Sequence, residues 1–185
     1  LKQAKEFKVK NIIISDFKSF QKAKLKIKNS KIKIFNKFDI FNKVFKKKND
    51  FIMCSITGLD GLQPTLESIK HTKNILIANK ESIICGWKLI KKELIRYKTK
   101  FIPVDSEHFS IWSLLENNKT SNIDKIYITA SGGPFLKLPK SKFKKIQIKK
   151  ALKHPNWKMG KKISIDSATL MNKLFEVIEA KNIFN

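Results

Sequence analysis

Arginine is almost absent from this chain of 185 residues: Arg96 is the only one, although lysine and arginine together number 40. The planar guanidinium of arginine reads base edges and grips phosphates with paired hydrogen bonds, whereas lysine acts as a point charge. The net charge of +25 therefore comes almost entirely from lysines, which are spread along the chain among Ile, Asn and Phe. We expect no specific nucleic-acid binding, although attraction to small phosphorylated molecules is reasonable.

Long apolar runs are also missing, because Lys or Asp interrupts every hydrophobic stretch well before the roughly 18 residues that a membrane span needs. The pattern excludes a transmembrane protein. The only cysteines, Cys54 and Cys85, lie in apolar stretches without the spacing of a metal site or a disulfide framework. We expect both to be reduced core residues, which indicates a reducing compartment.

The apolar residues that are present form six short runs with amphipathic segments between them, and each run predicts a buried strand. The runs lie at residues 11–15, 31–35, 51–56, 74–79, 100–104 and 125–130. Residues 62–72 and 82–98 have apolar side chains at helical spacing with lysines opposite, and a last helix is expected from about 168 to 183. This alternation predicts an α/β fold with a mostly parallel sheet, whose ligands bind at the carboxyl ends of the strands.

The pattern changes after residue 130. A Ser-Gly-Gly-Pro turn at 131–134, a lysine-rich stretch and a loop at 154–160 follow. A domain boundary near residue 104 is consistent with the change. Because the chain begins with leucine and its last helix has no terminating signal, we expect it to be an excerpt from a longer protein.

Candidate metal ligands follow the fifth predicted strand. Asp105 and Glu107 are two residues apart, so an extended backbone would direct both carboxylates to the same side. Paired carboxylates with no thiolate nearby suit a hard cation such as Mg²⁺ or Mn²⁺. The alternative is that Asp105 and Ser106 only cap a helix that begins at Glu107. A third ligand is available from Glu176, which shares a helix face with Asn172.

Candidate anion-binding groups occur near the end of the chain. Ser167, Asn172 and Lys173 offer a hydroxyl, an amide and an ammonium, a set that suits a phosphate monoester without arginine. The alternative is a surface helix with an ordinary Lys173–Glu176 ion pair. The glycines of the 131–134 turn would let backbone N–H groups approach an anion, although such a turn is more often only a turn.

Two further groups would complete such a site. His154 and Trp157 lie in the loop HPNWKMG and could form a lid, with Gly160 as its hinge. The alternative for Trp157 is simple packing. Lys80 follows the fourth predicted strand, at the same sheet edge as Asp105, where it could donate a hydrogen bond to a substrate hydroxyl. Its alternative is a solvated charge at a strand end.

Five segments in this order, LIANKES, PVDSEH, TASGGPF, HPNWKMGKKISIDSATLMNK and FEVIEA, closely resemble the 1-deoxy-D-xylulose 5-phosphate reductoisomerase family of the non-mevalonate isoprenoid pathway. The resemblance covers residues 51–185, whereas residues 1–50 match only in strand–helix rhythm. It implies rearrangement of 1-deoxy-D-xylulose 5-phosphate and reduction by NADPH to 2-C-methyl-D-erythritol 4-phosphate, with Mg²⁺, Mn²⁺ or Co²⁺. It also implies a homodimer when the protein is full length, located in the cytoplasm of a bacterium or in a plastid-type organelle.

The resemblance implies a domain division and individual roles. Residues 1–104 would be the back half of an NADPH-binding, Rossmann-like domain, and residues 105–185 the front part of an α+β catalytic domain. The metal ligands would be Asp105, Glu107 and Glu176, and the catalytic set would be these three together with Lys80. The residues that would contact the sugar phosphate are Lys80, Ser106, Glu107, Ser131, His154, Trp157, Ser167, Asn172, Lys173 and Glu176. Those that would contact NADPH are Asn79, Glu81, Met159 and Gly160.

Two departures from the family pattern bear on activity. Leu174 and Phe175 stand where the family usually has glycine and leucine, so we expect a bulky side chain to disturb the phosphate pocket. None of the six glycines forms a G-x-G-x-x-G or similar dinucleotide turn. We therefore expect this chain alone to bind NADPH poorly and to turn over little or no substrate. The alternatives are a basic module that binds RNA or anionic lipid, and a degenerate, non-catalytic relative.

Overall fold

Short strands alternate with helices in the computed structural model, which describes residues 1–27, 31–116 and 123–185. The strands, in chain order, are β1 (Asn11–Ile13), β2 (Lys33–Phe35), β3 (Asn49–Cys54), β4 (Thr72–Ile77) and β5 (Lys100–Pro103). The helices are α1 (Lys2–Glu6), α2 (Phe17–Lys26), α3 (Phe41–Val44), α4 (Leu62–Ile69), α5 (Lys80–Tyr97), α6 (Ser106–Glu116), α7 (Ile148–Ala151), α8 (Lys161–Ala168) and α9 (Met171–Phe184).

The described strands form two parallel sheets. β1 pairs with β2, and a second sheet has the order β3-β4-β5, with β4 in the centre. A parallel neighbour requires a crossover connection, and α4 and α5 supply the two crossovers of the larger sheet. The predicted α/β class and the parallel pairing are confirmed, and the carboxyl ends of β4 and β5 lie side by side.

The prediction of a sixth strand at residues 125–130 is wrong. This segment pairs with no strand in the described part of the chain. A strand needs a neighbour for its backbone N–H and C=O groups, whereas this segment is largely exposed, and Tyr127 retains 84% of its accessible surface. The apolar pattern KIYITA therefore marks surface that faces α6 on one side without forming a ladder.

The helix expected from about residue 168 to 183 is present as α9, and a separate helix that was not expected, α8, precedes it. α8 ends at Ala168, and Leu170 adopts a left-handed conformation with φ of 60° before α9 begins. A left-handed residue cannot continue a right-handed helix. Among the helices that the structure describes, none combines the length and the apolar character needed to cross a lipid bilayer.

The core lies between the larger sheet and helices α4 and α5. Its buried members are Cys54, Ile69, Ile75, Ile77, Ile83 and Ile90. Complete burial of each isoleucine contributes about 1.5–3 kcal/mol, so this core fixes the ends of β4 and β5 firmly. Cys85 is exposed, and its predicted place in the core is wrong: it lies two residues after Ile83, roughly 200° further around α5.

Candidate metal and anion site

Charged side chains gather where β4 and β5 end. Lys80 is the first residue of α5, directly after β4, and Asp105 lies between β5 and α6. Glu176 reaches the same place from α9, which packs against α5, where the Asn182 side chain donates a hydrogen bond to the carbonyl of Ile83. Residues far apart in sequence thus meet at one sheet edge.

Three carboxylates of this cluster can contact a single cation. Asp105, Glu107 and Glu176 each offer an oxygen within 4.8 Å of the others. Glu176 is almost fully buried at 2% exposure, so its carboxylate is held in place by its surroundings. Hard oxygen donors in this number suit Mg²⁺ or Mn²⁺.

The backbone between Asp105 and Glu107 is not extended, although an extended conformation was expected there. Extended structure ends at Pro103, and Glu107 lies in the first turn of α6. The N–H of Glu107 donates to Asp105 Oδ1 at 3.3 Å. Asp105 therefore caps the helix and also faces the cluster with its other oxygen, so its capping role is compatible with the predicted cation site, which stays a prediction.

Two lysines partly neutralise the carboxylates. Lys80 Nζ lies 3.2 Å from Asp105 Oδ2 and 3.3 Å from Glu176 Oε1. Lys173 Nζ lies 2.9 Å from Glu107 Oε1 and also pairs with Glu176. Burial opposes the charge of Lys80, but the neighbouring carboxylates raise its pKa. Because Lys80 is only 8% exposed, the alternative of a solvated strand-end charge is wrong.

The pKa values of two carboxylates in this region are shifted in opposite directions. Burial by itself would raise the pKa of Asp105, yet the hydrogen bond to His108 and the charge of Lys80 hold that pKa well below its usual range. Glu179 lies deeper, and burial raises its pKa to about 7. Asp105 is thus available as an ionised ligand, whereas Glu179 is held away from solvent.

A cavity of about 610 Å³ opens beside the acidic cluster. All ten residues that the family resemblance assigns to the sugar phosphate line it, as does Asp105. At one side, Ser131 Oγ lies 2.9 Å from His154 Nε2. The other ring nitrogen, Nδ1, accepts N–H groups of Asn156 and Trp157 at 3.2 Å each. Nε2 therefore holds the proton and donates a hydrogen bond to Ser131, which leaves the serine hydroxyl free to donate to a ligand.

The glycine turn beside Ser131 packs closely against α8. Gly133 has φ of +65°, and a Cβ there would lie 2.7 Å from the main-chain oxygen of Ser167. A larger residue would force the turn away from Ser167, which lines the cavity. Gly133 thus permits a close approach to α8 rather than to an anion. Its N–H donates to Ser131 Oγ at 3.4 Å.

Most of the residues assigned to NADPH lie outside this cavity, whereas Met159 lines it. Those outside are Asn79, Glu81 and Gly160. The side chain of Asn79 bonds to the chain itself: Oδ1 accepts from the N–H of Ser82 at 2.6 Å, and Nδ2 donates to the carbonyls of Ile56 and Gly58. Asn79 therefore caps α5 and ties it to the loop after β3.

Leu174 does not crowd the cavity, so the expected disturbance of the phosphate pocket is wrong. Its side chain is half exposed and forms no part of the lining, because it points away from the face that carries Lys173. Phe175 lies beneath Lys162, whose Nζ is 5.3 Å from the ring centre. Lys162 also pairs with Glu81 at 2.8 Å and Asp166 at 2.6 Å. We call Lys162, Glu81, Asp166 and Phe175 the Lys162 network.

Sequence reasoning gave no place at the site to two buried residues behind the carboxylates, His108 and Glu179. His108 contacts Asp105 and the main chain of Glu176, and Glu179 contacts His108. The available signal was helical spacing, since His108 follows Asp105 by three residues and Glu179 follows Glu176 by three. Spacing places such residues on one helix face but does not show that two faces meet.

Fold and site together define a class: this is an α/β chain with a cluster of carboxylates beside a polar cavity at the carboxyl ends of parallel strands. Comparison with known proteins gives the family. Residues 1–86 match the family model described as 1-deoxy-D-xylulose 5-phosphate reductoisomerase, and residues 101–184 match the model of that enzyme's C-terminal domain. The chain belongs to the 1-deoxy-D-xylulose 5-phosphate reductoisomerase family, and the resemblance seen in its motifs is confirmed.

Individual relatives agree with this assignment. The reductoisomerase of Pelagibacter ubique is 65% identical over 187 residues, which cover 100% of this chain and 48% of the relative. That of Clostridium tetani is 43% identical, covering 97% and 48%. A crystal structure of the reductoisomerase with NADPH, fosmidomycin and magnesium superposes with a TM-score of 0.87 at 32% identity, covering 99% of this chain and 48% of that one. The Zymomonas mobilis enzyme with NADPH gives 0.83 at 32% identity, covering 99% and 47%. The chain thus spans about half the length of the curated relatives it matches.

Proposed function

We propose that this chain is part of an enzyme that rearranges 1-deoxy-D-xylulose 5-phosphate and reduces the product with NADPH to 2-C-methyl-D-erythritol 4-phosphate. The observation that carries the proposal is the meeting of Asp105, Glu107 and Glu176 within 4.8 Å. These carboxylates lie beside a cavity lined by hydroxyl, amide, imidazole and ammonium groups. Family membership and the NADPH and magnesium in the related crystal structures support it.

The two parts of the chain have separate tasks in this proposal. Residues 1–104 contribute to binding NADPH, and residues 105–185 supply most of the groups that bind metal and substrate. The two family models, which match residues 1–86 and 101–184, support a division between them. Lys80 belongs to the first part but reaches the cavity of the second.

Asp105, Glu107 and Glu176 are the residues that would hold Mg²⁺ or Mn²⁺, and the bound cation would polarise the ketone and hydroxyl oxygens of the substrate. Lys80 and Lys173 already face these carboxylates. Counted by themselves, these three carboxylates and two ammoniums have one net negative charge. A divalent cation would make the cluster positive, which favours binding of an anionic substrate.

The phosphate end is bound by polar groups that line the cavity. His154 donates a hydrogen bond from Nε2 to Ser131, so the Ser131 hydroxyl can donate in turn to a phosphate oxygen. Ser167, Asn172 and Lys173 add a hydroxyl, an amide and a positive charge. This set binds a phosphate without arginine.

The loop at residues 154–160, here called the flap, covers the substrate in this proposal. Trp157 is 63% exposed although it lines the cavity. Its indole ring is therefore free to pack over a bound ligand. Met159 lines the same space. Closure of these side chains would exclude water from the site before hydride transfer to the substrate.

The setting of the whole protein follows from its relatives. The matched reductoisomerases of Pelagibacter ubique and Clostridium tetani are bacterial, which supports a cytoplasmic enzyme of the bacterial type. A homodimeric assembly rests on the family resemblance alone.

The experiment that tests this proposal is Mn²⁺ binding to the chain, followed by electron paramagnetic resonance. Asp105→Asn and Glu107→Gln each remove one ligand charge, so each should weaken binding at least tenfold. Asp50→Asn is the matched control, because Asp50 is an exposed carboxylate on β3 that pairs only with Lys73 in the described structure. Unchanged Mn²⁺ affinity in both site variants would contradict the proposal.

A further inference from the structure

A buried histidine and a buried glutamate lie behind the proposed metal ligands, and no step of the proposed function uses them. His108, in the first turn of α6, has 0% exposure, and Glu179, one turn beyond Glu176 on α9, has 1%. Burial of ionisable groups costs free energy unless partners compensate for lost solvation. Their partners therefore show what the pair does.

His108 bonds to both elements that supply the proposed ligands. Its Nδ1 lies 3.1 Å from Asp105 Oδ1, and its Nε2 lies 2.8 Å from the main-chain oxygen of Glu176. Carboxylate and carbonyl oxygens only accept hydrogen bonds, so both ring nitrogens donate. The ring thus ties the start of α6 to α9 at the point where their carboxylates meet.

Glu179 and Phe184 hold the ring in this orientation. Glu179 Oε2 lies 3.4 Å from His108 Nδ1 and makes no hydrogen bond within the described residues. Phe184 stacks on the ring at 6.5 Å between centroids. These two contacts fix the plane of the ring, so that its nitrogens face Asp105 and the main-chain oxygen of Glu176.

We infer that His108 is a positioning residue that sets the separation of Asp105 and Glu176 for a divalent cation, and that Glu179 keeps His108 in place. The inference rests on the proposed metal site and deepens it. Side chains that orient metal ligands from behind commonly change metal affinity by about 10–100-fold when replaced.

A second cation site is the competing interpretation of the same residues. Ligand atoms of Asp105, His108 and Glu179 also lie within 4.8 Å of one another. However, Nδ1 has no lone pair to offer while it donates to Asp105, and His108 is completely buried. We therefore favour positioning, and the number of bound ions distinguishes the two.

The test compares Mn²⁺ affinity and the Mn²⁺ resonance line shape in the chain and its variants. The shorter amide of His108→Asn would keep only the bond to Asp105, whereas the longer one of His108→Gln would keep the bond to the Glu176 carbonyl. We expect each variant to weaken binding about tenfold and to change the line shape, because each loses one of two ties. Glu179→Gln should weaken binding less, and its effect should disappear in the His108→Gln background.

The matched control is a second buried histidine. His71 packs against Phe41 and Phe45, and its main-chain oxygen accepts a bond from Asn49. His71→Asn therefore disturbs buried packing without touching a proposed ligand. We expect unchanged Mn²⁺ affinity in this variant, and thermal unfolding without metal would measure the stability loss of all variants on one scale.

The outcomes separate the two levels of the proposal. If the unmodified chain binds no Mn²⁺, the metal site fails and the inference with it. If the chain binds Mn²⁺ and the His108 and Glu179 variants match it, only the inference is overturned. Two bound ions, with one lost in His108→Gln, would show that His108 is a ligand. If the His108 variants do not fold, Glu179→Gln decides: weaker binding supports the inference, and unchanged affinity overturns it.

Discussion

Asn79 and Lys80 are neighbours in the sequence, yet their side chains do different work. The amide of Asn79 is occupied by carbonyls of the loop after β3 and by the first turn of α5. The ammonium of Lys80 points into the acidic cluster. Residue types at a strand end could be recognised from the sequence as candidates for binding. The two carbonyls that Asn79 binds lie more than twenty residues earlier in the chain, so its tie to that loop could not be recognised from the sequence.

Replacement of Asn79 by alanine should therefore destabilise the fold. The change removes the α5 cap, worth about 1 kcal/mol, and leaves the carbonyl of Ile56 without a donor, at roughly 1 kcal/mol or more. The carbonyl of Gly58 keeps the N–H of Gly61 as its donor. We expect the free energy of unfolding in urea to fall by about 2 kcal/mol. Asn79→Asp keeps the capping oxygen and should lose only part of this. A loss within about 0.5 kcal/mol, typical of a surface substitution, would contradict the assignment.

Gly133 and Gly160 offer a second comparison at this scale. Gly133 has a positive φ and no room for a Cβ beside Ser167, whereas nothing lies within 4 Å of a Cβ placed on Gly160. Gly133→Ala should cost about 2 kcal/mol of unfolding free energy, from backbone strain and the displaced turn. Gly160→Ala should change it little. Equal losses in the two variants would show that the turn is not packed as described.

At the scale of elements, apolar periodicity was sufficient for β1 to β5 and for α4 and α5. It failed where the outcome depends on a partner elsewhere: residues 125–130 have the composition of a strand but no neighbouring strand in the described structure. It also missed α8, whose eight residues are too few for a clear helical periodicity. The site depends on α9 meeting α5 and α6, which one sequence does not reveal.

The Lys162 network joins three of these elements next to the flap. Lys162 and Asp166 lie on α8, Glu81 on the first turn of α5 and Phe175 on α9. Because α8 follows the flap directly, we expect Lys162→Met to loosen its attachment. Partly exposed ion pairs and one cation–π contact together contribute about 1 kcal/mol, which corresponds to roughly fivefold faster amide exchange.

Hydrogen exchange of residues 154–160, followed by mass spectrometry, measures this effect. Lys161→Met is the control, because Lys161 is an exposed neighbour that forms no ion pair within the residues the structure describes. Faster exchange should occur only in Lys162→Met. The same exchange rate in both variants would exclude a role for the network in holding the flap.

At the scale of the whole molecule, its net charge and its length relative to its relatives bear on what it can bind. The net charge of +25 is almost entirely lysine, and in the cluster at the sheet edge those lysines pair with acids. A basic module that binds nucleic acid would lose affinity steeply with salt and would ignore Mn²⁺. The acidic cluster predicts Mn²⁺ binding instead, and the chain spans about half of its curated relatives.

This chain alone should oxidise little or no NADPH in the presence of 1-deoxy-D-xylulose 5-phosphate and Mn²⁺. The reason is that none of its six glycines forms a dinucleotide-binding turn. Absorbance of NADPH measures the reaction, with the intact reductoisomerase of Pelagibacter ubique as the positive control. Appreciable turnover by the chain would contradict this expectation, although it would strengthen the assignment of the reaction.

The most direct measurement is anomalous diffraction from a crystal of the chain grown with Mn²⁺. We predict a single strong anomalous peak within coordinating distance, roughly 2.1 Å, of carboxylate oxygens from Asp105, Glu107 and Glu176. A peak elsewhere, or an ion at this edge of the sheet that Glu176 does not contact, would contradict the account.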